Sequence, residues 1–318
     1  MRRIRLNVGS LLLQVAFERS LYPKTIAEIF CNVATTAPPE EAAPEAEIVF
    51  VENSESTSPL MAVPPDGMLI LDAPSARQIH TEALSAEAFL REPTPRFVVT
   101  VRRPFLPEYD LKVHVTVVVF KLLFFLDRLA LHAAGVRFQG RVHLFLGGKG
   151  AGKTTVSVRL ARSGATVLGE DRLILRRSNG GFLVSGSGET FRVTEETERH
   201  FFPVPLAVEP RDVGGVLKKE VRVSSHFATA AHTDFPVRRI FFNHVGERFT
   251  IIPLSKHQAL LELIRETKAS HRFAGGDDYR AYLGFLRDFV EVAPAYRLEL
   301  SRDLRDLERL DAFLSTGA

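Results

Sequence analysis

The chain has 318 residues, and 45% of them are hydrophobic, which is enough to form a proper core. Its 41 basic and 38 acidic residues are mixed along the sequence, so no basic block suggests a nucleic-acid-binding tract. The single cysteine, Cys31, excludes an internal disulfide and favours a reducing compartment. We therefore expect a cytoplasmic globular protein that does not bind nucleic acid.

Residues 1–110 are predicted to form a smaller, strand-rich region. Short β-type runs at 48–51, 68–71 and 97–101 are separated by turn-forming residues. The N-terminal run at 6–17 resembles a signal peptide only superficially, because polar residues interrupt it, and we expect strands there. Residues 35–47, rich in Ala, Pro and Glu, are predicted to form a mobile surface loop.

The most hydrophobic run, at 113–131, opens the second predicted region, residues 111–318. His114, Lys121 and Asp127 interrupt this run, which argues against a membrane span. We expect a buried helix here and no membrane partner.

A glycine-rich loop follows the strand-like run 141–146. Gly147, Gly152, Lys153 and Thr154 occupy the fixed positions of the phosphate-binding motif GxxxxGK followed by Ser or Thr. Glycines let successive backbone N–H groups point at phosphate oxygens, and the next helix directs the positive end of its dipole at the same anion. The lysine supplies a charge for the outer phosphates, and the Thr154 hydroxyl can bind Mg²⁺. The residues expected to bind the nucleotide are Gly147, Gly148, Lys149, Gly150, Ala151, Gly152, Lys153, Thr154 and Thr155.

Two acids follow the next predicted strand, 165–168. The helix after the loop is predicted over 154–163, with Gly164 as its C-terminal cap. Ligands collect at the carboxyl ends of strands in an α/β sheet, so Glu170 and Asp171 would lie beside the phosphates. There they could hold Mg²⁺ or accept a proton from an attacking hydroxyl. Alternatively, they are a solvated pair that begins a hairpin.

His132 precedes the loop strand in the apolar segment 131–136. A lone histidine in such a segment is more often a core residue with one hydrogen bond than a functional group. The residues alone leave both interpretations open.

Three pieces of the sequence, LHAAGV, GGKGAGKT and GED, together resemble the catalytic domain of the bacterial HPr kinase/phosphorylase family, a P-loop kinase fold related to phosphoenolpyruvate carboxykinase. The match runs without insertion from His132 to Asp171. The resemblance implies that Asp171 is the proton acceptor, Thr154 the hydroxyl that binds Mg²⁺, and His132 an active-site residue. Glu170 stands where the family has a first Asp.

Beyond Asp171 the resemblance thins. A further Mg²⁺-binding Glu of the family falls on Glu196, with Glu195 and Glu189 as neighbouring choices. The glycine-rich signature associated with the reverse reaction is missing, because residues 197–205 read TERHFFPVP. Neither phosphorolysis nor HPr itself as substrate is therefore expected.

The remaining sequence predicts a compact α/β end to the domain. Strands are expected at 240–242, 249–252 and 296–300, and a capping box at Ser255 opens a helix through residue 268. A second helix, from Asp277 or Asp278 to residue 290, precedes a closing helix capped by Ser301. Lys218 and Lys219 either reach a phosphate or form a solvated pair.

From these patterns we expect a kinase that uses ATP and Mg²⁺ and transfers the γ-phosphate to a hydroxyl, such as a Ser or Thr of a protein or peptide. Asp171 would deprotonate the acceptor, and His132 would position Asp171 or the transferring phosphoryl group. Lys153 would hold phosphates. The alternatives are a small-molecule hydroxyl kinase, an ATPase or nucleotide switch, and a binding module without turnover. A homo-oligomer is implied by the resemblance only.

Overall fold

The computed structural model describes residues 2–8, 11–18, 34–35, 43–52, 69–72, 77–81, 84–101, 108–170, 172–186, 190–213, 215–230, 233–267 and 276–316. The chain is mixed α/β with several sheets. It divides into two compact units, Met1–Ala130 with Lys268–Phe285 and Leu131–Thr267 with Leu286–Ala318. The expected boundary near residue 110 stays a prediction.

The first unit contains an eight-stranded sheet in the order β3-β1-β2-β4-β8-β7-β6-β5. Its strands are β1 (Arg2–Val8), β2 (Leu11–Phe17), β3 (Ala34–Thr35), β4 (Ala46–Glu52), β5 (Leu69–Asp72), β6 (Arg77–His80), β7 (Leu84–Phe89) and β8 (Arg96–Val101). Strands β2, β4 and β8 are parallel neighbours. Buried residues alternate along β7 and β8, as expected for strands with one face toward a core.

The predicted strands near 48–51, 68–71 and 97–101 are confirmed by β4, β5 and β8. The expected surface loop at 35–47 is wrong at its end, because Ala46 and Glu47 already pair with β2. Residues 36–42 of that loop lie outside the described part of the chain.

Helix α1 (Glu108–Phe125) ends earlier than the predicted helix over 113–131. Asp127 adopts φ 57°, a left-handed conformation that a continuing α-helix excludes. Strand β9 (Arg128–Leu131) follows directly. None of the described helices combines the length and apolar character that a membrane span requires.

Lys121 of α1 is buried beside Asp278, and their ion pair is 3.1 Å long. Arg77 binds the same carboxylate at 2.7 Å. Burial lowers the pKa of Lys121 to about 8, although the Asp278 charge opposes this shift. This polar cluster belongs to the interior of the first unit.

The main sheet of the second unit contains strands in the order β12-β10-β11-β18-β14-β13, and β20 pairs with β18 and β19. A separate three-stranded sheet has the order β15-β17-β16. The strands are β10 (Ala133–Phe138), β11 (Arg141–Leu146), β12 (Thr166–Gly169), β13 (Leu173–Ser178), β14 (Gly181–Gly186), β15 (Thr190–Thr194), β16 (Arg211–Asp212), β17 (Leu217–Arg222), β18 (Phe235–Val245), β19 (Thr250–Pro253) and β20 (Ala295–Leu300).

Five further helices follow in the chain: α2 (Lys153–Arg162), α3 (Glu195–Phe201), α4 (Lys256–Thr267), α5 (Gly276–Val292) and α6 (Glu308–Ser315). The predicted capping box at Ser255 is confirmed, because Gln258 N donates to Ser255 Oγ and Ser255 N donates to Gln258 Oε1. Gly164, at φ 86°, donates its N–H to Ala161 O and closes α2 as predicted.

The predicted closing helix capped by Ser301 is wrong in its first turn. Asp303 accepts from Arg305 N and begins a 3₁₀ turn over Leu304–Leu307, and α6 starts only at Glu308. The Ser301 hydroxyl instead donates to Asp306 Oδ2 at 2.6 Å. Leu307, Leu310 and Leu314 are buried in the core.

Parallel pairing fixes which edge of the main sheet carries the glycine-rich loop. Strand β11 runs parallel to β18, and β18 runs parallel to β20, so their carboxyl ends lie at one edge. Phe241 on β18 stacks on Phe145 of β11 at 5.1 Å and on Tyr296 of β20 at 5.4 Å. These aromatic contacts secure the three strands from which the loop and the closing segment extend.

Candidate phosphate-binding site

The loop between β11 and α2 depends on glycine at two of its positions. Gly147 has φ 147°, and a Cβ atom there would lie 2.8 Å from the Asn243 carbonyl oxygen. Gly152 has φ 82°, and a Cβ atom there would lie 2.5 Å from Leu300 Cδ1. Both the backbone conformation and the close neighbours therefore exclude a side chain.

Lys153 is the first residue of α2, and 7% of it is exposed. Its ammonium donates to the Gly147 carbonyl at 2.6 Å and to the Gly148 carbonyl at 3.3 Å. These two carbonyl oxygens hold the ammonium over the loop and supply the hydrogen bonds that a buried charge requires.

Thr154 and Glu170 meet through their side chains. The Thr154 hydroxyl donates a hydrogen bond to Glu170 Oε1. Arg192 N also lies 3.4 Å from Glu170 Oε2. Next to them, the hydroxyls of Thr155 and Thr197 lie 2.9 Å apart, which connects α2 with α3. A hydroxyl in the first turn of α2 and a carboxylate at the end of β12 therefore lie next to each other.

A cavity of about 340 Å³ opens over the loop and the start of α2. Four cationic side chains and one carboxylate line it, together with His132. The cations are Lys149, Lys153, Arg192 and Lys218, and the carboxylate is Glu170. An excess of positive charge beside a helix N-terminus suits a polyanion such as a chain of phosphates.

Arg192 is a cavity residue that the sequence did not single out, whereas Lys218 is one of the two lysines expected either to reach a phosphate or to form a solvated pair. Thr194 of β15 pairs with Lys218 of β17, and this pairing brings both strands to the cavity. The expected Lys218–Lys219 pair is split, because Lys219 turns to Glu198 at 2.8 Å while Lys218 lines the cavity. No local sequence signal reveals this split, since it depends on alternation along a strand whose partner is distant.

Not every predicted site residue is found among the described residues that line this cavity. Asp171 and Glu189 are outside the described residues. Glu196 lines a neighbouring cavity of about 530 Å³ rather than this one. Glu195 is exposed and pairs with Arg199 at 3.0 Å. The predicted roles of Asp171 and Glu196 therefore stay predictions.

Oxygen ligands for a divalent cation are present at one place in the cavity. Thr154 Oγ1 and the Glu170 carboxylate are hard oxygen donors of the kind that Mg²⁺ prefers. Among the described residues, no group of three or more His, Cys, Asp and Glu side chains could hold a metal ion. Mg²⁺ typically binds through one or two protein oxygens plus substrate phosphates and water, so these residues fit it.

A buried histidine lies below the loop on β11. His143 is fully buried, and its ring meets Phe241 edge to face at 6.1 Å. Burial lowers the pKa of His143 to about 3, and the neighbouring charge of Arg239 acts in the same direction. The imidazole is therefore neutral at physiological pH and belongs to the core of the sheet.

Comparison with known proteins gives little to set beside this geometry. No protein-family model matches the chain, and no curated protein matches it. One solved structure that matches is the HPr(Ser) kinase/phosphatase from Coxiella burnetii, at 10% sequence identity. The match covers 58% of this chain and 93% of that chain, with a TM-score of 0.31.

Proposed function

We propose that this chain is an ATP-dependent kinase that transfers the γ-phosphate to a hydroxyl group, with Ser or Thr of a protein or peptide as acceptor. Residues 111–318 would form the P-loop catalytic domain, of the HPr kinase and phosphoenolpyruvate carboxykinase type. The observation that carries the proposal is the hydrogen bond between Thr154, directly after the loop lysine, and the Glu170 carboxylate inside a cation-lined cavity.

The loop and its cations would bind the phosphates of ATP. Backbone N–H groups of the loop and of the first turn of α2 bind oxygens, and Lys153 neutralises the β and γ phosphates. Lys149, Arg192 and Lys218 add positive charge around the same cavity. Stabilising the charge of the transferring group is the main contribution that such a site makes to the rate.

Thr154 Oγ1 and Glu170 would hold Mg²⁺, with Glu196 as the second acid implied by the resemblance. A Mg²⁺ ion held there would supply positive charge that stabilises the negative charge of the phosphates. The Thr154–Glu170 hydrogen bond keeps both oxygens at one side of the cavity. Glu170 stands where the HPr kinase/phosphorylase family has an Asp, so its carboxylate is one methylene further from the backbone.

The acceptor hydroxyl would lose its proton to Asp171, which follows Glu170 in the chain. As the acceptor oxygen bonds to the γ-phosphorus, the bond from that phosphorus to the β–γ bridging oxygen breaks and ADP leaves. His132, which lines the cavity, would position Asp171 or the transferring phosphoryl group.

Transfer of label from γ-phosphate-labelled Mg-ATP into a fractionated cell extract tests the proposal. Lys153→Ala and Asp171→Asn should each remove most of the label transfer, and Asp171→Asn should retain nucleotide binding. Arg162→Ala is the matched control, because Arg162 is exposed at the far end of the same helix.

Label in a protein or peptide fraction would support the proposed acceptor, whereas label in small molecules would identify a metabolite kinase. Release of label only as inorganic phosphate would replace the kinase with an ATPase or nucleotide switch. Bound ATP without turnover would indicate a binding module. Normal transfer by Asp171→Asn would overturn the assigned proton acceptor.

A further inference from the structure

The three-stranded sheet β15-β17-β16 turns one face toward the core and the other outward. Phe191, Val193 and Val221 are buried in the core of the second unit. Lys219 lies one position from Lys218 and two from Val221 on β17, and its ammonium pairs with Glu198 at 2.8 Å. Successive side chains of a strand point to opposite faces, so every second residue of this sheet points outward.

The outward face carries four cations and one carboxylate, and we call it the basic face. Its charged residues are Arg192, Arg211, Lys218, Glu220 and Arg222. Directly paired residues of neighbouring strands share a face, and Lys218 pairs with Arg211. Arg192 pairs with Glu220, and their side chains form an ion pair of 3.2 Å.

Three cations of the basic face are available to another molecule. Within the described part of the chain, the side chains of Arg211, Lys218 and Arg222 form no ion pair and no hydrogen bond. Arg211 and Arg222 are exposed, and Lys218 is half-buried. Unpaired cations that share one face attract a ligand with several negative charges.

The basic face is continuous with the phosphate-binding cavity. Arg192 and Lys218 line that cavity, whereas Arg211 and Arg222 do not. Arg222 follows Lys218 by four residues on β17, a distance of about 13 Å along an extended strand. A segment of extended chain that lies on the face therefore reaches the cavity at one end and Arg222 at the other.

Two observations favour an acidic peptide over a nucleic acid on this face. Val216 and Leu217, directly before Lys218, are exposed by 42% and 63%, and apolar side chains beside cations suit a partner that has both acidic and apolar residues. Glu220 also lies among the cations. Its carboxylate repels a continuous phosphodiester backbone, but it can accept hydrogen bonds from the N–H groups of a peptide.

We propose that the basic face docks an acidic segment of the phosphoacceptor, a protein or peptide in which carboxylates lie close to the Ser or Thr. Arg211 and Arg222 bind the carboxylates, and Lys218 lies where the face meets the cavity that receives the hydroxyl. This inference rests on the proposed function and adds a substrate class to it.

Two fluorescent synthetic peptides test the docking of acidic chains. One has a serine flanked by runs of glutamate long enough to span about 13 Å, and the other has glutamine in place of every glutamate. At low ionic strength the wild-type chain should bind the glutamate peptide at least about fivefold more tightly, because exposed ion pairs are weak singly and several act together. Salt at about 1 M should abolish this preference by screening.

The double variant Arg211→Ala/Arg222→Ala should lose most of the preference for the glutamate peptide. Its urea unfolding midpoint should stay unchanged, since both arginines are exposed, and this separates lost docking from lost folding. Arg162→Ala/Arg238→Ala is the matched control, because it removes the same charge from exposed positions on α2 and β18.

Equal affinity of the wild type for the two peptides, or a full preference in the double variant, would overturn the docking of acidic chains and leave the kinase proposal standing. Tighter binding of a DNA duplex, weakened by the same double variant, would replace the acidic peptide with a nucleic acid. A glutamate preference in a chain that transfers no label from γ-phosphate-labelled Mg-ATP would overturn the proposed function and, with it, the role of the docked peptide as acceptor.

Discussion

The Thr154 hydroxyl donates a hydrogen bond to Glu170 Oε1, joining residues sixteen positions apart in the sequence. Thr154 lies in the first turn of α2, and Glu170 directly follows β12. The chain between them forms the rest of α2 and all of β12 and returns the carboxylate to the loop. The contact therefore links the N-terminal end of a helix to the edge of the sheet.

Glu170→Gln should raise the Mg²⁺ concentration needed for half-maximal label transfer by about tenfold, because an amide oxygen carries no charge for the cation. Affinity for ATP without metal should change little. Glu196→Gln tests the second predicted ligand in the same titration. Glu195→Gln serves as the control, since Glu195 is exposed and paired with Arg199. An unaltered Mg²⁺ requirement in Glu170→Gln would remove this residue from the metal site.

Gly152→Ala should abolish phosphate binding and lower the free energy of unfolding by about 1–3 kcal/mol. The residue has φ 82°, and the new methyl group would collide with Leu300. Gly246→Ala is the control, because Gly246 lies outside the loop and the nearest atom to a Cβ there would be at 3.8 Å. Isothermal titration with Mg-ATP and urea unfolding check both variants. Normal binding by Gly152→Ala would show that the loop tolerates a different backbone path.

Glu198→Gln should reduce the acid sensitivity of the fold. Burial acts to raise the pKa of Glu198, but hydrogen bonds from Lys219 and Leu206 N outweigh it and lower this pKa below its usual value of 4.5. The charged form is thus favoured in the folded state, and its contribution is full above pH 4.5 and declines as pH falls further. Urea unfolding between pH 7 and pH 3 should show a smaller loss of stability in the variant. An equal loss in both proteins would contradict this account.

His143→Met should flatten the pH dependence of stability between pH 7 and pH 5. Burial lowers the pKa of His143 to about 3 in the folded chain, whereas its usual value is 6.5. The unfolded chain therefore binds more protons than the folded chain between pH 7 and pH 5. Stability therefore falls as pH decreases, by about 2 kcal/mol from this group between pH 7 and pH 5. Methionine fills the buried space without a titrating group. If the free energy of unfolding, measured with urea, changes equally with pH in the two proteins, His143 is protonated within the fold.

Contiguous patterns in the sequence determined much of the second unit. The bounds of β11 match the predicted run 141–146, and α2 follows one residue earlier than expected. Both elements are specified locally, by an apolar run, by glycines and by a helix without proline. The place of Glu170 beside the loop also followed from the sequence, because strand ends in an α/β sheet gather at one edge.

Other features depended on partners that are distant in the chain. Lys218 lines the cavity and Lys219 does not, because β17 pairs with β15 in one register and successive side chains point to opposite faces. The apparent helix over 113–131 ends before Asp127, and a strand begins at Arg128 within a largely apolar run. Hydrophobic periodicity does not distinguish a buried helix from a buried strand in such a run.

The sequence by itself predicts a phosphate-binding loop between β11 and α2, because a loop that presents backbone amides to an anion is encoded by neighbouring residues. Only the tertiary structure decided what surrounds the loop. Parallel pairing of β20 with β18 places Leu300 against Gly152 and brings the segment after it to the loop, although that segment is far away in the sequence. Such contacts arise when whole strands and helices pack against each other, and local patterns in one sequence carry no information about that packing.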